Sequence, residues 1–482
     1  MSFPLLPVSF VLFLELLCIV AVLFFERKNP GSSIAWILVL LFFPIVGIVA
    51  YLYLGTGYRV NRRKQYEFKA MADSLFNQTL KSALPLRDSL KFTAENPRLS
   101  RMIRYLSTAG ESGFTANNEV RVYIDGTTLF QDILQDMRKA TRHIHVLFYI
   151  IRNDALGRAM LAVLAEKARQ GVEVRLMYDS LGSFAAPAKL FAELRAAGGQ
   201  VQGFYPVRLF RLTQFRLNYR NHRKLIIVDG TIGYVGGMNV GTEYMGLNKK
   251  LTPWRDTHLR LTGTSVWFLQ ERFAMDWCYA ATVDSKTMKV EKYFPAALPG
   301  GDVGIQIVSS GPDMETAPIK GGLMEILYAA RRNIWIQTPY FTPDDAFLEA
   351  LRAAARAGVD VRLMLPGKSD HQIVHWATLF YARQAHEAGV KVYAYNGFIH
   401  AKTIAFDGLA ASIGTCNIGT RSFYLNFEIT AFLYSKDFVA EQEALFLRDS
   451  ENCTELTAEW FAKRKPLTRG MHNASRLLAP LM

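Results

Sequence analysis

One pattern in this chain occurs twice, and it limits the fold more than any other feature. "NHRKLIIVDGTIGYVGGMN" at residues 221–239 returns, roughly 180 residues later, as "FIHAKTIAFDGLAASIGTCN" at 398–417. His222, Lys224, Asp229 and Asn239 thus match His400, Lys402, Asp407 and Asn417 at the same spacing. The flanking segments repeat too: "HIHVLFYIIRND" with "NIWIQTPYFTPD", "ARQGVEVRLMYD" with "ARAGVDVRLMLP", and "AAGGQVQGFYP" with "EAGVKVYAYNG". The fold must therefore build one unit twice. Short β-rich runs alternate with Ala/Leu/Arg-rich helical stretches in both copies, so each unit reads as α/β.

The offset between the copies is about 190 residues in the early segments and about 180 at the motif, so the first copy holds roughly a dozen extra residues. They lie in "PVRLFRLTQFRLNY", where Arg208, Arg211 and Arg216 interleave with Leu209, Phe210, Leu212, Phe215 and Leu217. That mixture suits a lipid headgroup boundary or an ordinary covering loop.

In each copy the residues after the histidine, "LIIVD" and "TIAFD", read as a buried strand ending in a Gly-bearing turn. Side chains two apart on a strand share a face, so His222 goes with Lys224 and His400 with Lys402. One copy supplies half a site. If the copies pack about a pseudo-twofold axis, two histidines and two lysines meet in one cleft, an arrangement suited to a phosphodiester. One imidazole would attack phosphorus while the other donates a proton to the leaving alkoxide and later removes one from the incoming alcohol. Lys224, Lys402, Asn239 and Asn417 would stabilise charge on the non-bridging oxygens. This chemistry calls for no metal and no cofactor. An attacking imidazole needs its second nitrogen held by an acceptor. Aligning "RDTHLRLTG" with "NFEITAFLYS" sets Asp256 opposite Glu428, with Asp256 expected to orient His222 and Glu428 to orient His400. Asp229 and Asp407 fit either a catalytic role or a strand-turn one.

Phe3–Phe25 is apolar apart from Glu15, and Ile34–Leu54 is an apolar run broken only by Pro44 and Gly47. Each approaches the ~20 residues that cross a hydrocarbon core, which predicts a transmembrane helical hairpin over residues 1–57. No Lys or Arg precedes the first run, and a second follows at once, which argues against a cleaved signal peptide. Arg27 and Lys28 lie between the runs, whereas Arg59, Arg62, Arg63, Lys64 and Lys69 follow the second. That bias predicts cytoplasmic C-terminal lobes. A net charge of +14 points to an anionic partner. Cys18, Cys278, Cys416 and Cys453 show no metal or redox spacing and read as free thiols.

The doubled HxKxxxxD pattern with its following glycine and asparagine resembles the phospholipase D superfamily, over about residues 115–450. "ERKNPGSSIAW" in the hydrophobic hairpin, "NHRKLIIVDG" and "FIHAKT" resemble bacterial cardiolipin synthases. The resemblance implies an internally duplicated phospholipase D-like fold with two pseudo-twofold-related lobes. Its expected organisation is a membrane hairpin at 1–57, a basic helical connector at 58–114, and lobes at 115–300 and 301–482. It also implies a multi-pass protein of the bacterial inner membrane that meets anionic lipids and no nucleic acid. The implied reaction moves the phosphatidyl group of one phosphatidylglycerol onto a second, giving cardiolipin and glycerol. His222 would be the nucleophile and His400 the general acid/base, with Lys224, Asp229, Lys402 and Asp407 completing the set. Thr415 and Cys416 in "GTCN" stand where the first copy has Gly237 and Met238, a difference expected on the phosphate side. Hydrolysis to phosphatidic acid by the same site is the main alternative, with a nuclease or a non-catalytic scaffold behind it. His371 and His375 have the spacing of a zinc pair but read as a polar helix face or cleft lining. Tyr149 and Tyr340, at the ends of matched strands, read as core or rim packing or as cleft lining.

Overall fold

A computed structural model describes residues 5–25, 30–54, 86–205, 219–281, 290–296 and 300–481. The basic, aromatic segment holding Arg208, Arg211 and Arg216 lies outside them, as do the charges between and after the two apolar runs.

The first half contributes β1 (Thr115–Tyr123), β2 (His143–Phe148), β3 (Glu173–Asp179), β4 (Gln200–Phe204), β5 (Leu225–Val228), β6 (Ile232–Gly236) and β7 (His258–Thr262). The second contributes β8 (Val303–Ser310), β9 (Asn333–Gln337), β10 (Asp360–Pro366), β11 (Lys391–Tyr395), β12 (Thr403–Phe406), β13 (Ala410–Gly414), β14 (Asn426–Tyr434) and β15 (Cys453–Glu455). All belong to one sixteen-stranded sheet, whose remaining strand is Arg220–Asn221. Outward from the junction the first half runs β1-β7-β6-β5-β2-β3-β4 and the second β8-β14-β13-β12-β9-β10-β11-β15. Apart from the edge strand β15, which the first half lacks, the orders correspond strand for strand, so the duplication seen in the sequence is a duplication of topology. β1 and β8 pair antiparallel, Thr115 opposite Ile305, and fuse the halves into one sheet.

Parallel β2-β3-β4 and β9-β10-β11 are joined by helices such as Ala155–Arg169 and Asp345–Arg356, and their inward positions are near-continuously apolar. One apolar core fills the first lobe around Leu129, Val146 and Leu164, and another the second lobe around Leu323, Ile336 and Leu363. A third lies between them, where Leu225, Val235 and Leu259 meet Ile305, Ile413 and Ile429. Within the connector, the helices Leu86–Glu95 and Pro97–Ala109 pack on the second lobe, and Leu99, Met102, Ile103 and Leu106 complete its core.

The N-terminal region departs from the expected pair of uninterrupted spans. Helix α1 covers Leu5–Phe25, but the second apolar run divides into α2 (Pro30–Phe42) and α3 (Pro44–Leu54), packed against each other. Pro44 has no N–H to continue the helix, and its ring clashes with the preceding turn. Gly47 permits the fold-back, since a Cβ there would sit 2.7 Å from the Val39 carbonyl oxygen. The described side chains of α1 span 9–24, and among the described residues no helix is long and apolar enough to cross a membrane.

Candidate active site

Each motif is delivered to the junction by the same device. Arg220–Asn221 pairs in parallel with Asn426–Phe427 of the other lobe, and the next amide, His222 N–H, donates to the Phe427 carbonyl at 2.9 Å. In mirror fashion Trp254–Arg255 pairs in parallel with Phe398–Ile399, and His400 N–H donates to the Arg255 carbonyl at 2.7 Å. The residue after each accepting carbonyl is a carboxylate. Glu428 therefore lies 3.0 Å from His222 Nδ1, and Asp256 lies 2.6 Å from His400 Nδ1.

This corrects the expected pairing of Asp256 with His222 and Glu428 with His400. Each imidazole is held by the opposite lobe, because the short inter-lobe strands set the register there. Both histidines line one cleft of about 570 Å³, together with Asn239 and Asn417. With Nδ1–H given to a carboxylate, each neutral ring turns a bare Nε2 toward the cleft.

The lysines lie elsewhere than expected. Lys224 and Lys402 are buried beneath the histidines, and each ammonium donates to the backbone carbonyl of its own histidine, Lys224 at 2.6 Å. The Tyr149 ring lies 5.6 Å from the Lys224 ammonium and packs edge-on against His222. Tyr149 and Tyr340 both line the cleft, and Tyr340 donates its hydroxyl to Asp370 at 2.5 Å. His371 lines it as well, at the N-cap of Gln372–His386.

Burial pushes His222 down to about 4, opposed by Glu428 and assisted by Lys224 and Lys402. His400 is lowered by burial and then by Lys402, against Asp256. Burial also lowers Lys224 to about 7 and Lys402 to about 8, although Glu428 and Asp256 pull both up. Burial alone would raise Glu428 and Asp256, but the facing histidines and lysines hold both below the ordinary carboxylate range. The site at neutral pH thus has two uncharged imidazoles, two ionised carboxylates and two lysines poised near their midpoints.

Thr415 and Cys416 are buried behind the histidines and do not reach the phosphate side, another correction. Thr415 donates its hydroxyl to Glu428 at 2.5 Å. At the matching position Gly237 makes room for Asp256, since a Cβ there would sit 2.0 Å from Asp256 Oδ1.

Asp229 and Asp407, grouped above with the catalytic residues, sit at the far ends of β5 and β12 and build turns. Asp229 accepts from the backbone N–H groups of Thr141, Arg142 and His143, and Asp407 from those of Arg331, Arg332 and Asn333. Their φ angles of 54° and 52°, followed by Gly230 and Gly408 at 70° and 67°, form the left-handed pair of a tight hairpin turn. Asp229→Ala is accordingly expected to cost about 0.5–2 kcal/mol of stability by removing the acceptor of three backbone N–H groups that hold the turn, while turnover per folded molecule stays near wild type. Denaturant unfolding with active-site titration checks this, and a selective loss of turnover would restore a chemical role.

Sequence reasoning missed the arginines. Arg220 and Arg421 line the cleft beside His222, and Arg220 lies 3.7 Å from Asp179. Arg220 stands two residues before the first histidine, where the second copy has Phe398, so the asymmetry between copies was the available signal. Arg223, between histidine and lysine, is wholly buried and ties the lobes. Its guanidinium pairs with Asp276 at 2.7 Å and donates to the carbonyls of Glu428 and Ser310.

Comparison with known proteins places the chain in a family. The family described as "Cardiolipin synthase, PLD-like domain" matches residues 133–254 and 323–450, and "Phospholipase_D-nuclease N-terminal" matches 14–55. The chain is 43% identical to the major cardiolipin synthase ClsA of Bacillus subtilis (strain 168), across 100% of both chains. It is 42% identical to a cardiolipin synthase of Staphylococcus aureus (strain Mu50), across 97% of this chain and 95% of that one. Among solved structures, the phosphatidylserine synthase of Haemophilus influenzae Rd KW20 superposes with a TM-score of 0.60 at 12% identity, covering 79% of this chain and 100% of that one, a likeness of fold.

Proposed function

The chain belongs to the cardiolipin synthases of the phospholipase D-like family, and from that premise we propose how it joins two phosphatidylglycerols through a phosphohistidine. The observation that carries the reading is the single cleft into which both lobes send an imidazole, each steadied by the other lobe's carboxylate.

His222 Nε2 gives its lone pair to the phosphorus of the donor lipid. The bond from phosphorus to the glycerol oxygen breaks, and a proton on His400 Nε2 goes to that oxygen, so that glycerol departs neutral. The free His400 is held neutral by burial and then by Lys402. The incoming phosphodiester anion supplies the charge that favours its protonated form. In the second half the hydroxyl of another phosphatidylglycerol gives its proton to His400 and attacks phosphorus, the P–N bond breaks, and His222 is regenerated as cardiolipin forms. Glu428 and Asp256 keep each ring in the Nδ1–H tautomer and stabilise whichever becomes cationic. Asn239 and Asn417 face the phosphate, and the two buried lysines supply positive charge from below in a water-poor setting where it acts strongly.

We read α1–α3 as embedding the chain in the bacterial inner membrane, with the lobes on the cytoplasmic side. Their outward residues are large and apolar, among them Phe10, Phe13, Leu16, Phe24, Phe42 and Val46, while Glu15 is turned inward at 7% exposure. That inside-out distribution suits a lipid surround.

The ionisations set the pH response. kcat/KM is expected to rise through about pH 4 as His222 loses its proton, to fall as pH passes the lowered pKa of free His400, the proton donor, and to fall further above about 7 to 8 as Lys224 and Lys402 lose theirs. The bound phosphodiester favours protonated lysine, so the alkaline limb of kcat lies higher than that of kcat/KM. Coincident alkaline limbs would contradict a lysine role in binding phosphate charge. The function itself is tested by incubating purified chain with phosphatidylglycerol and resolving the lipids. Cardiolipin with released glycerol is expected, and phosphatidic acid as sole product would make the protein a hydrolase.

A further inference from the structure

Several of the large apolar side chains exposed on the lobes lie on segments that border the cleft or pack on its walls. Phe184 is 78% exposed, on the loop whose Ser183 donates its hydroxyl to the Tyr149 carbonyl. Leu247, 66% exposed, lies between the cleft residues Tyr244 and Asn248. Ile373, 48% exposed, lies between His371 and Val374, which also line the cleft. Leu467 and Leu477, at 75% and 74%, belong to the C-terminal segment. That segment's helix Pro466–Ser475 packs on Gln372–His386, and its last turns, Arg476–Leu481, pack on the short helix Thr420–Tyr424 that supplies Arg421 and Ser422 to the cleft. Both lobes thus contribute apolar tips around one opening. Exposed cations lie beside them, Lys249 and Lys250 next to Leu247, and Lys465 and Arg469 on either side of Leu467.

From this arrangement we propose that the cleft mouth is a second, hairpin-independent membrane contact. Phe184, Leu247, Ile373, Leu467 and Leu477 insert into the outer part of an anionic monolayer, and the four cations meet its phosphates. Apolar tips ringed by positive charge match a lipid headgroup boundary in both hydrophobicity and sign. The position over the opening lets a phosphodiester pass from the monolayer to His222 and His400 while its acyl chains stay in lipid. This rests on the reading of the cleft as a lipid-phosphate site, but it goes further by fixing which face of the lobes meets the bilayer.

The test uses the full chain, reconstituted in vesicles of phosphatidylglycerol and phosphatidylcholine. An environment-sensitive label is placed through Leu477→Cys or Phe184→Cys, and a control label through Leu447→Cys, an exposed position on the helix Lys436–Glu451. Lipids spin-labelled high on the acyl chain are expected to quench the two rim labels several-fold more than the control. A combined Phe184→Ser, Leu247→Ser, Leu477→Ser variant is expected to lose at least 10-fold in turnover of vesicle phosphatidylglycerol, while keeping wild-type turnover of a short-chain, monomeric phosphatidylglycerol. Equal quenching at rim and control positions would overturn the proposal, as would equal loss on both substrates. Protection of the rim labels that follows protein concentration in detergent would assign this face to a second copy of the chain and likewise overturn it. Failure of the parent protein to turn over the monomeric lipid would instead count against the reaction, with the quenching result still deciding the membrane contact.

Discussion

His222→Ala and His400→Ala are each expected to lower cardiolipin formation by at least ~10² to 10⁴-fold with fold and membrane attachment intact. The reason is geometric. Each ring is at the cleft surface, with its Nδ1 committed to a carboxylate, so only Nε2 is available for chemistry. In the proposed relay, removing His222 deletes the atom that bonds phosphorus, and removing His400 deletes the carrier of the proton between leaving and entering oxygens. Because the two rings serve consecutive halves of one relay, the double variant should be scarcely worse than either single one. Multiplying losses would mean that the histidines act independently. The crossed pairing sharpens the expectation. Glu428→Gln should damage the His222 step, and Asp256→Asn the His400 step, although each carboxylate lies far along the chain from the ring it serves.

Arg223→Leu is expected to destabilise the protein by about 3–5 kcal/mol, the usual cost of breaking a buried ion pair by removing one partner. The side chain is fully buried. It holds both oxygens of Asp276, reaches the carbonyls of Glu428 and Ser310, and lies over the Phe427 ring at 5.3 Å. Its loss leaves a buried carboxylate short of charge and removes a donor from two carbonyls of the second lobe. Since one of those carbonyls belongs to Glu428, turnover should fall along with stability. Asp276→Leu combined with Arg223→Leu should recover only part of the stability, because Arg272, which also pairs with Asp276 at 2.8 Å, then keeps only Asp313 at 3.9 Å. The midpoint and slope of denaturant unfolding, followed on full chain in detergent, measure both effects. A change within about 0.5 kcal/mol would mean that the guanidinium contributes no more than a surface charge.

Much of this was legible in the residues, and the limits have physical causes. The doubled motif and its flanks gave the duplicated α/β topology, because hydrophobic runs and turn glycines are local signals that repeat when a unit repeats. Convergence of His222 and His400 followed from doubling, since half a site recurs only if the halves meet. The crossing of Glu428 and Asp256 did not follow. It depends on two-residue strands, Arg220–Asn221 and Trp254–Arg255, whose partners lie in the other lobe, and no local pattern records such a register. Strand alternation put the lysines on the histidine face, but the long side chains curl back to backbone carbonyls and stay buried. The second apolar run showed its length plainly, and Pro44 was visible within it. What the run could not show is that Gly47 lets the two pieces fold together. The turn role of Asp229 and Asp407 was one of two readings left open by the sequence, and the three backbone donors facing each carboxylate favour it.

The central claim is that two imidazoles from separate lobes act in turn on one lipid phosphorus. Rapid quenching in alkaline denaturant after mixing the full chain with phosphatidylglycerol carrying a labelled phosphate, followed by peptide mapping at alkaline pH, tests it most directly. The account predicts an acid-labile, base-stable label on His222, absent from His222→Ala and accumulating in a variant such as Asp256→Asn that slows the second proton transfer. A label on His400 in its place, or turnover with no covalent adduct at any time point, would contradict it.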